Sequence, residues 1–154
     1  MSRSGIVASP IDVGAIVNEV RDARTGAVAT FLGTVRNSSH ARAVTGLEYS
    51  AYAEMATREM EAIVREATAI APGVQIVAVH RVGDLTVGDV CVMIAVGHAH
   101  RGPTFDACRY VIEEIKKRVP IWKREHYADG SAEWVNACAP QAHAHARSQD
   151  VHTC

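Results

Sequence analysis

The densest run of groups able to do chemistry is "IKKRVPIWKRE", Ile115 to Glu125, with five basic residues in eleven. Lysine donates protons or stabilises an oxyanion, and arginine grips phosphate or carboxylate through its planar fork of donors. Which of these chemistries applies depends on where each side chain points. Pro120 divides the run into a helix before it and a strand after it. At 100° per residue, Phe105, Cys108, Ile112, Ile115 and Val119 form the buried stripe of a helix over Pro103–Val119. Lys117 lies nearly opposite that stripe, in water, and pairs with Glu113 four residues earlier. Lys116 projects about 60° from the stripe's centre, on the border between core and solvent. There it can reach into a cleft, or simply lay its stem on apolar surface. Beyond Pro120 side chains alternate, so Ile121, Lys123 and Glu125 share one face, and Trp122, Arg124 and His126 the other. Lys123 thus points with an apolar neighbour. Its plainer reading is a charge guarding a strand edge, and for Arg124 and Glu125 it is a surface pair.

Two further stretches place basic groups at strand ends. "GHAHRGP", Gly97 to Pro103, follows an apolar strand and precedes a helix, where free N–H groups and the helix dipole attract anions. His100 and Arg101 would add charge-assisted donors there, or would be solvated residues of a helix start. Arg36, in "GTVRN", is a second anion donor or marks where a strand meets water. A His-x-His metal pair at His98 and His100 has no carboxylate or cysteine at ligand spacing beside it, so no metal and no cofactor is expected. The "HAHA" segment near the end of the chain sits in low-complexity sequence. No Gly-rich nucleotide loop and no GxSxG nucleophile motif is present.

The elements that must position these groups follow from periodicity and turn residues. Ser9-Pro10 reads as a helix start, with Gly26 past its end. Ala27–Arg36 and Leu47–Tyr52 read as strands, with a polar loop "NSSHARAVTG" between them. A helix over residues 53–71 stops at Pro72-Gly73. Val74–Val82 is a third strand, "GDLTVGD" a turn region, and Val90–His100 a fourth strand, apolar on both faces and therefore central. "DGS" joins two last strands as a hairpin. Residues 1–136 make one α+β domain, a mixed β-sheet with flanking helices. Residues 137–154, rich in His and Ala, lack periodicity and read as a disordered tail.

Composition narrows the function classes. The chain has 154 residues, 48% hydrophobic and 21% charged, with a formal net charge of −1. A nucleic-acid binder carries a strongly basic balance, and this chain does not. No apolar run approaches a membrane span. The first residues have no signal-peptide core, so a cytoplasmic location is expected. Cys91, Cys108, Cys138 and Cys154 are widely spaced, as free thiols of a reducing compartment are.

In order, "FLGTVRN", "LEYSAYAEMA", "VHRVGDLTVGD", "HAHRGPTFDACRYVIEEIKKRVPIWKRE" and "DGSAEWV" resemble the large, catalytic subunit of molybdopterin synthase, from about Ile11 to Val135. The resemblance implies an α/β-hammerhead-like α+β fold. It also implies a sulfurtransferase that converts cyclic pyranopterin monophosphate to molybdopterin, part of molybdenum cofactor biosynthesis. The sulfur would come from the C-terminal Gly-Gly thiocarboxylate of a small ubiquitin-like subunit. The assembly would be a heterotetramer built on a homodimer of large subunits. Carried over residue by residue, the family's site falls on Lys116 and Lys123 as catalytic groups. Arg36, His100 and Arg101 fall with the substrate, as do Arg124 and Glu125 beside Lys123. Two positions depart from the pattern: "NSSHARAV" lacks a glycine, and His98 replaces a small hydroxyl residue. Two other readings stand beside it: a non-catalytic module binding a phosphorylated pterin or nucleotide, and an assembly-only subunit serving as a dimer scaffold.

Overall fold

The computed structural model describes residues 1–135, so the tail expected over 137–154 lies outside the described residues. In chain order the elements are β1 (Arg3–Val7), α1 (Val13–Glu19), β2 (Ala27–Thr34), β3 (Ser38–Ser39), β4 (Arg42–Ala51), α2 (Ala53–Ile70), β5 (Gln75–Arg81), β6 (Gly83–Thr86), β7 (Val90–His98), α3 (Arg101–Arg118), β8 (Ile121–Tyr127) and β9 (Ala132–Val135).

The α+β class holds, but the strands divide into two sheets. The first runs β1-β5-β7-β2 and is mixed, because β1 pairs parallel with β5 while the other pairs are antiparallel. The second is antiparallel, in the order β3-β4-β8-β9, with β6 also on β4. Strand β7 is central and buried on both faces, as its unbroken apolar run demands. Its Met93 and Ala95, with Val77 and Val79 of β5, pack beneath Ile16 and Val20 of the α1 segment. Ile94 and Val96, with Ile76 and Ala78, enter the larger core shared with α2, α3 and the second sheet.

Four expectations needed correction. Helix α1 is shorter than Ser9-Pro10 suggested, because Asp12 caps it, its Oδ1 accepting from the Ala15 N–H at 2.9 Å. Residues 3–7 add an unforeseen strand. The "NSSHARAVTG" loop is mostly a hairpin, with β3 turning into β4 through His40 and Ala41, both at positive φ. The "GDLT" of the turn region is β6.

Helix α3 matters most for function. Its buried residues are Thr104, Ala107, Cys108, Val111 and Ile115, whereas Phe105 is 63% exposed. The buried stripe is therefore rotated by about 60° from the expected one, toward α2. Arg118 shows where α2 lies: its guanidinium donates to Glu59 and Glu66 at 2.6 Å each. Tyr110 donates to the same Glu66 at 2.7 Å. Lys117 is exposed, as expected, but pairs with Glu114 at 3.0 Å rather than with Glu113.

Candidate active site

A pocket opens where α3 meets both sheets. Its first wall is a row of register partners across three strands: Gly33 of β2, Val92 of β7 and His80 of β5. Gly33 is required there, since a Cβ would come within 2.5 Å of Val92 Cγ1. The opposite wall is Tyr49 of β4 and Ile121 of β8, and α3 closes the side with Ile112, Ile115 and Lys116. The room inside is narrow, about 30 Å³. The rotated stripe explains the arrangement. It leaves Ile112 and Lys116 in a sector beside the core, facing the pocket, and among its lining residues Lys116 alone carries a formal charge.

Three polar side chains that sequence reasoning passed over lie around Lys116. His80 is 7% exposed and its Nδ1 is 2.9 Å from the Arg81 carbonyl oxygen. A carbonyl only accepts, so Nδ1 carries the proton and Nε2 the lone pair. Burial pushes the imidazole down to about 4, and the nearby Lys116 charge pushes the same way, so the ring is neutral. Tyr49 meets it edge to face, with ring centroids 5.0 Å apart. The Cys91 thiol donates to the Gly33 carbonyl at 3.2 Å and also hydrogen-bonds with Tyr49. Burial raises that thiol above its ordinary value, so it is no thiolate nucleophile. The signal available in sequence was a titratable residue, His80, inside the apolar run "VQIVAVHRV".

Lys123 is 8% exposed and lies opposite Tyr49 in the β4–β8 register. Tyr49 thus borders both lysines, one through the pocket and one across the sheet. The Lys123 ammonium is 3.1 Å from Glu125, which is 2% exposed. Burial pushes the Glu125 carboxyl up, but hydrogen bonds from Tyr127 and Lys123 outweigh it and leave the carboxyl below its usual range. The Tyr127 hydroxyl donates at 2.8 Å. Glu125 is therefore engaged within the sheet and holds Lys123 in place, instead of offering a free carboxylate to a ligand.

Arg124 points the other way. Strand alternation puts it on the outer face, 3.8 Å from Glu48 and over the Trp134 ring at 5.9 Å. This is the face opposite Lys123, as alternation after Pro120 implies. On that outer face Glu48, Asp84 and His126 also converge.

His100 and Arg101 form a second, open site of about 510 Å³ with Gly26, Ala27, Ala99, Gly102 and Pro103. A Cβ at Gly26 would lie 2.4 Å from the Ala99 carbonyl oxygen, so only glycine lets β2 begin this close. His100 is the N-cap of α3 but no side chain caps the first-turn N–H groups. Those donors and Arg101 suit an anion. Arg36 is exposed just past β2, three residues beyond Gly33 of the pocket wall. Among the described residues neither guanidinium, of Arg36 or Arg101, has a hydrogen-bond or ion-pair partner.

One chain does not bring all these groups together. Lys116, Lys123, Tyr49 and His80 cluster at the sheet junction, with Arg36 on the adjoining strand end. Arg101 stands fifteen residues before Lys116 on the same helix, about 22 Å away along its axis.

The chain is similar to known proteins in sequence and in structure. The family model described as MoaE protein matches residues 6–118. The molybdopterin synthase catalytic subunit of Oryza sativa subsp. indica is 45% identical over 120 residues, 78% of this chain and 62% of that protein. The chain thus spans under two thirds of the rice protein's length. The molybdopterin synthase catalytic subunit of Synechococcus elongatus is 42% identical over 128 residues, 82% of this chain and 78% of that protein. The crystal structure of molybdopterin synthase from Staphylococcus aureus superposes with a TM-score of 0.82 at 36% identity, covering 88% of this chain and 98% of that one.

Proposed function

This chain belongs to the MoaE protein family, and from that premise we propose that it is the catalytic subunit of molybdopterin synthase. It transfers sulfur from the C-terminal thiocarboxylate of a small ubiquitin-like carrier to cyclic pyranopterin monophosphate, building the dithiolene of molybdopterin. The observation that carries this reading is Lys116, a cation in a narrow apolar pocket, with the buried Lys123 paired across the sheet with Tyr49 of the pocket wall. A slot this thin admits a glycine tail without side chains, and its cation meets the anionic thiocarboxylate.

The chemistry divides among the residues. The carrier's sulfur bonds to a substrate carbon as a carbon–oxygen bond breaks. Water then cleaves the carrier's acyl carbon–sulfur bond, leaving the sulfur on the substrate and a carboxylate on the carrier. The leaving oxygen of the first step needs a proton or a positive charge beside it. Lys116 and Lys123 supply these. Arg36, His100 and Arg101 grip the substrate's phosphate. A module that only bound a phosphorylated pterin would be served by those last three. A buried lysine costs desolvation, and its retention beside the pocket favours catalysis.

The same distances support a dimeric assembly. A small pterin phosphate cannot span about 22 Å of helix. In the homodimer, His100 and Arg101 of one copy serve the pocket of the other. A carrier subunit at each end completes a heterotetramer, and the enzyme works in the cytoplasm.

The deciding experiment mixes the protein with a carrier thiocarboxylate and cyclic pyranopterin monophosphate and assays dithiolene product. Product is expected. None from folded, carrier-bound protein would overturn the assignment.

A further inference from the structure

The strand wall of the pocket contains a group that the reaction as stated leaves unused. His80 is held on three sides: by the Arg81 carbonyl at Nδ1, by the Tyr49 ring across its face and by its register partner Val92 on β7. Its one remaining polar atom is Nε2, an acceptor by the tautomer argument above. The other walls are apolar, apart from Tyr49 and Cys91, and these two hydrogen-bond to each other. The Gly33 carbonyl is already taken by the Cys91 thiol.

A peptide tail entering such a slot brings backbone N–H groups, and each one buried without an acceptor is costly. Its terminal group is anionic and seeks Lys116. The N–H of a terminal glycine lies about 3 Å from that glycine's own terminal atoms. A tail whose end meets Lys116 therefore carries its last N–H into the part of the pocket that His80 lines.

We propose that His80 reads the carrier tail, its Nε2 accepting a hydrogen bond from the N–H of the terminal glycine while Lys116 meets the terminal group. The inference rests on the functional reading above and deepens it, adding a specificity residue for the sulfur donor. A ring nitrogen fixed at one point tests the position of the tail's last peptide. A carrier tail longer or shorter by one residue would misplace its N–H and leave the acceptor unpaired.

The test is a double-mutant cycle between protein and tail. A molybdopterin synthase carrier subunit is prepared by semisynthesis with glycine or with N-methylglycine at its end. Binding to the full-length wild type, His80→Phe and His80→Gln proteins is measured by calorimetry, with folding of each checked by circular dichroism. N-methylation removes the N–H and should weaken binding to the wild type about tenfold. His80→Phe keeps the ring but has no acceptor. It should bind both carriers with equal, reduced affinity. His80→Gln returns an acceptor near the Nε2 position and should restore part of the discrimination, which a merely structural role would not do. Equal discrimination by wild type and His80→Phe would overturn the inference, as would a wild type indifferent to the methyl group. A wild type that binds neither carrier would remove the functional reading and this inference together, a result distinct from the other two.

Discussion

The Lys123 ammonium lies 3.1 Å from the Glu125 carboxylate, two residues along the same strand, and both side chains are almost wholly out of water. Removing one member of such a pair strands the other charge. Glu125→Ala should lower stability by about 3 kcal/mol, read as a shift of the urea midpoint. Glu125→Gln keeps a hydrogen-bonding group for Tyr127 and should cost less. Both should reduce turnover, because Lys123 loses the contact that orients it.

Adjacent lysines on α3 provide an internal control. Lys116 lines the pocket, whereas Lys117 is exposed and pairs with Glu114. In a single-turnover assay Lys116→Ala should slow sulfur transfer about a hundredfold or more. Lys117→Ala should stay close to wild type. Similar losses for the two would remove the geometric basis for choosing between them.

His80 makes stability depend on pH. Its imidazole is held at about 4 in the folded chain, against an ordinary value of 6.5. Between these values the unfolded chain takes up a proton that the native protein does not. Its contribution is therefore intact above about pH 6.5 and is lost progressively toward pH 4, amounting to about 3 kcal/mol. His80→Gln should flatten that part of the curve when unfolding free energy is measured between pH 7 and 4.5. A slope equal to the wild type would assign the acid sensitivity to other groups.

The β3–β4 turn stores strain that a double substitution relieves. His40 and Ala41 have φ of 46° and 64°, the left-handed conformation that two-residue hairpins require and that Asn-Gly adopts with least cost. Replacing His40-Ala41 by Asn-Gly should raise stability by about 1 kcal/mol, seen as a higher Tm with turnover unchanged.

How much was legible in the sequence varied with the physics behind each signal. The apolar run at β7 announced a central strand, and alternation after Pro120 separated Lys123 from Arg124 correctly. The identity of Glu125's partners was not legible, because Tyr127 lies on the same strand face but Ser39 arrives from a distant hairpin. The helical stripe was misplaced because periodicity counts apolar residues without knowing the neighbours. Arg118 and its glutamates draw α3 toward α2, so Thr104 and Ala107 are buried and Phe105 is not. His80, Tyr49 and Cys91 were missed for a related reason. They come from three separate strands, and only the register of β5, β7 and β4 against α3 unites them.

The length of α3 between Arg101 and Lys116 has a genetic consequence. If each pocket is completed by the other copy's helix start, two inactive variants should rescue one another. In a mixed dimer of Arg101→Ala and Lys116→Ala chains, one site receives both intact contributions and the other receives neither. Random mixing makes half of the dimers mixed, so about a quarter of wild-type activity should return. Two alleles that each abolish cofactor synthesis alone would then support it when expressed together.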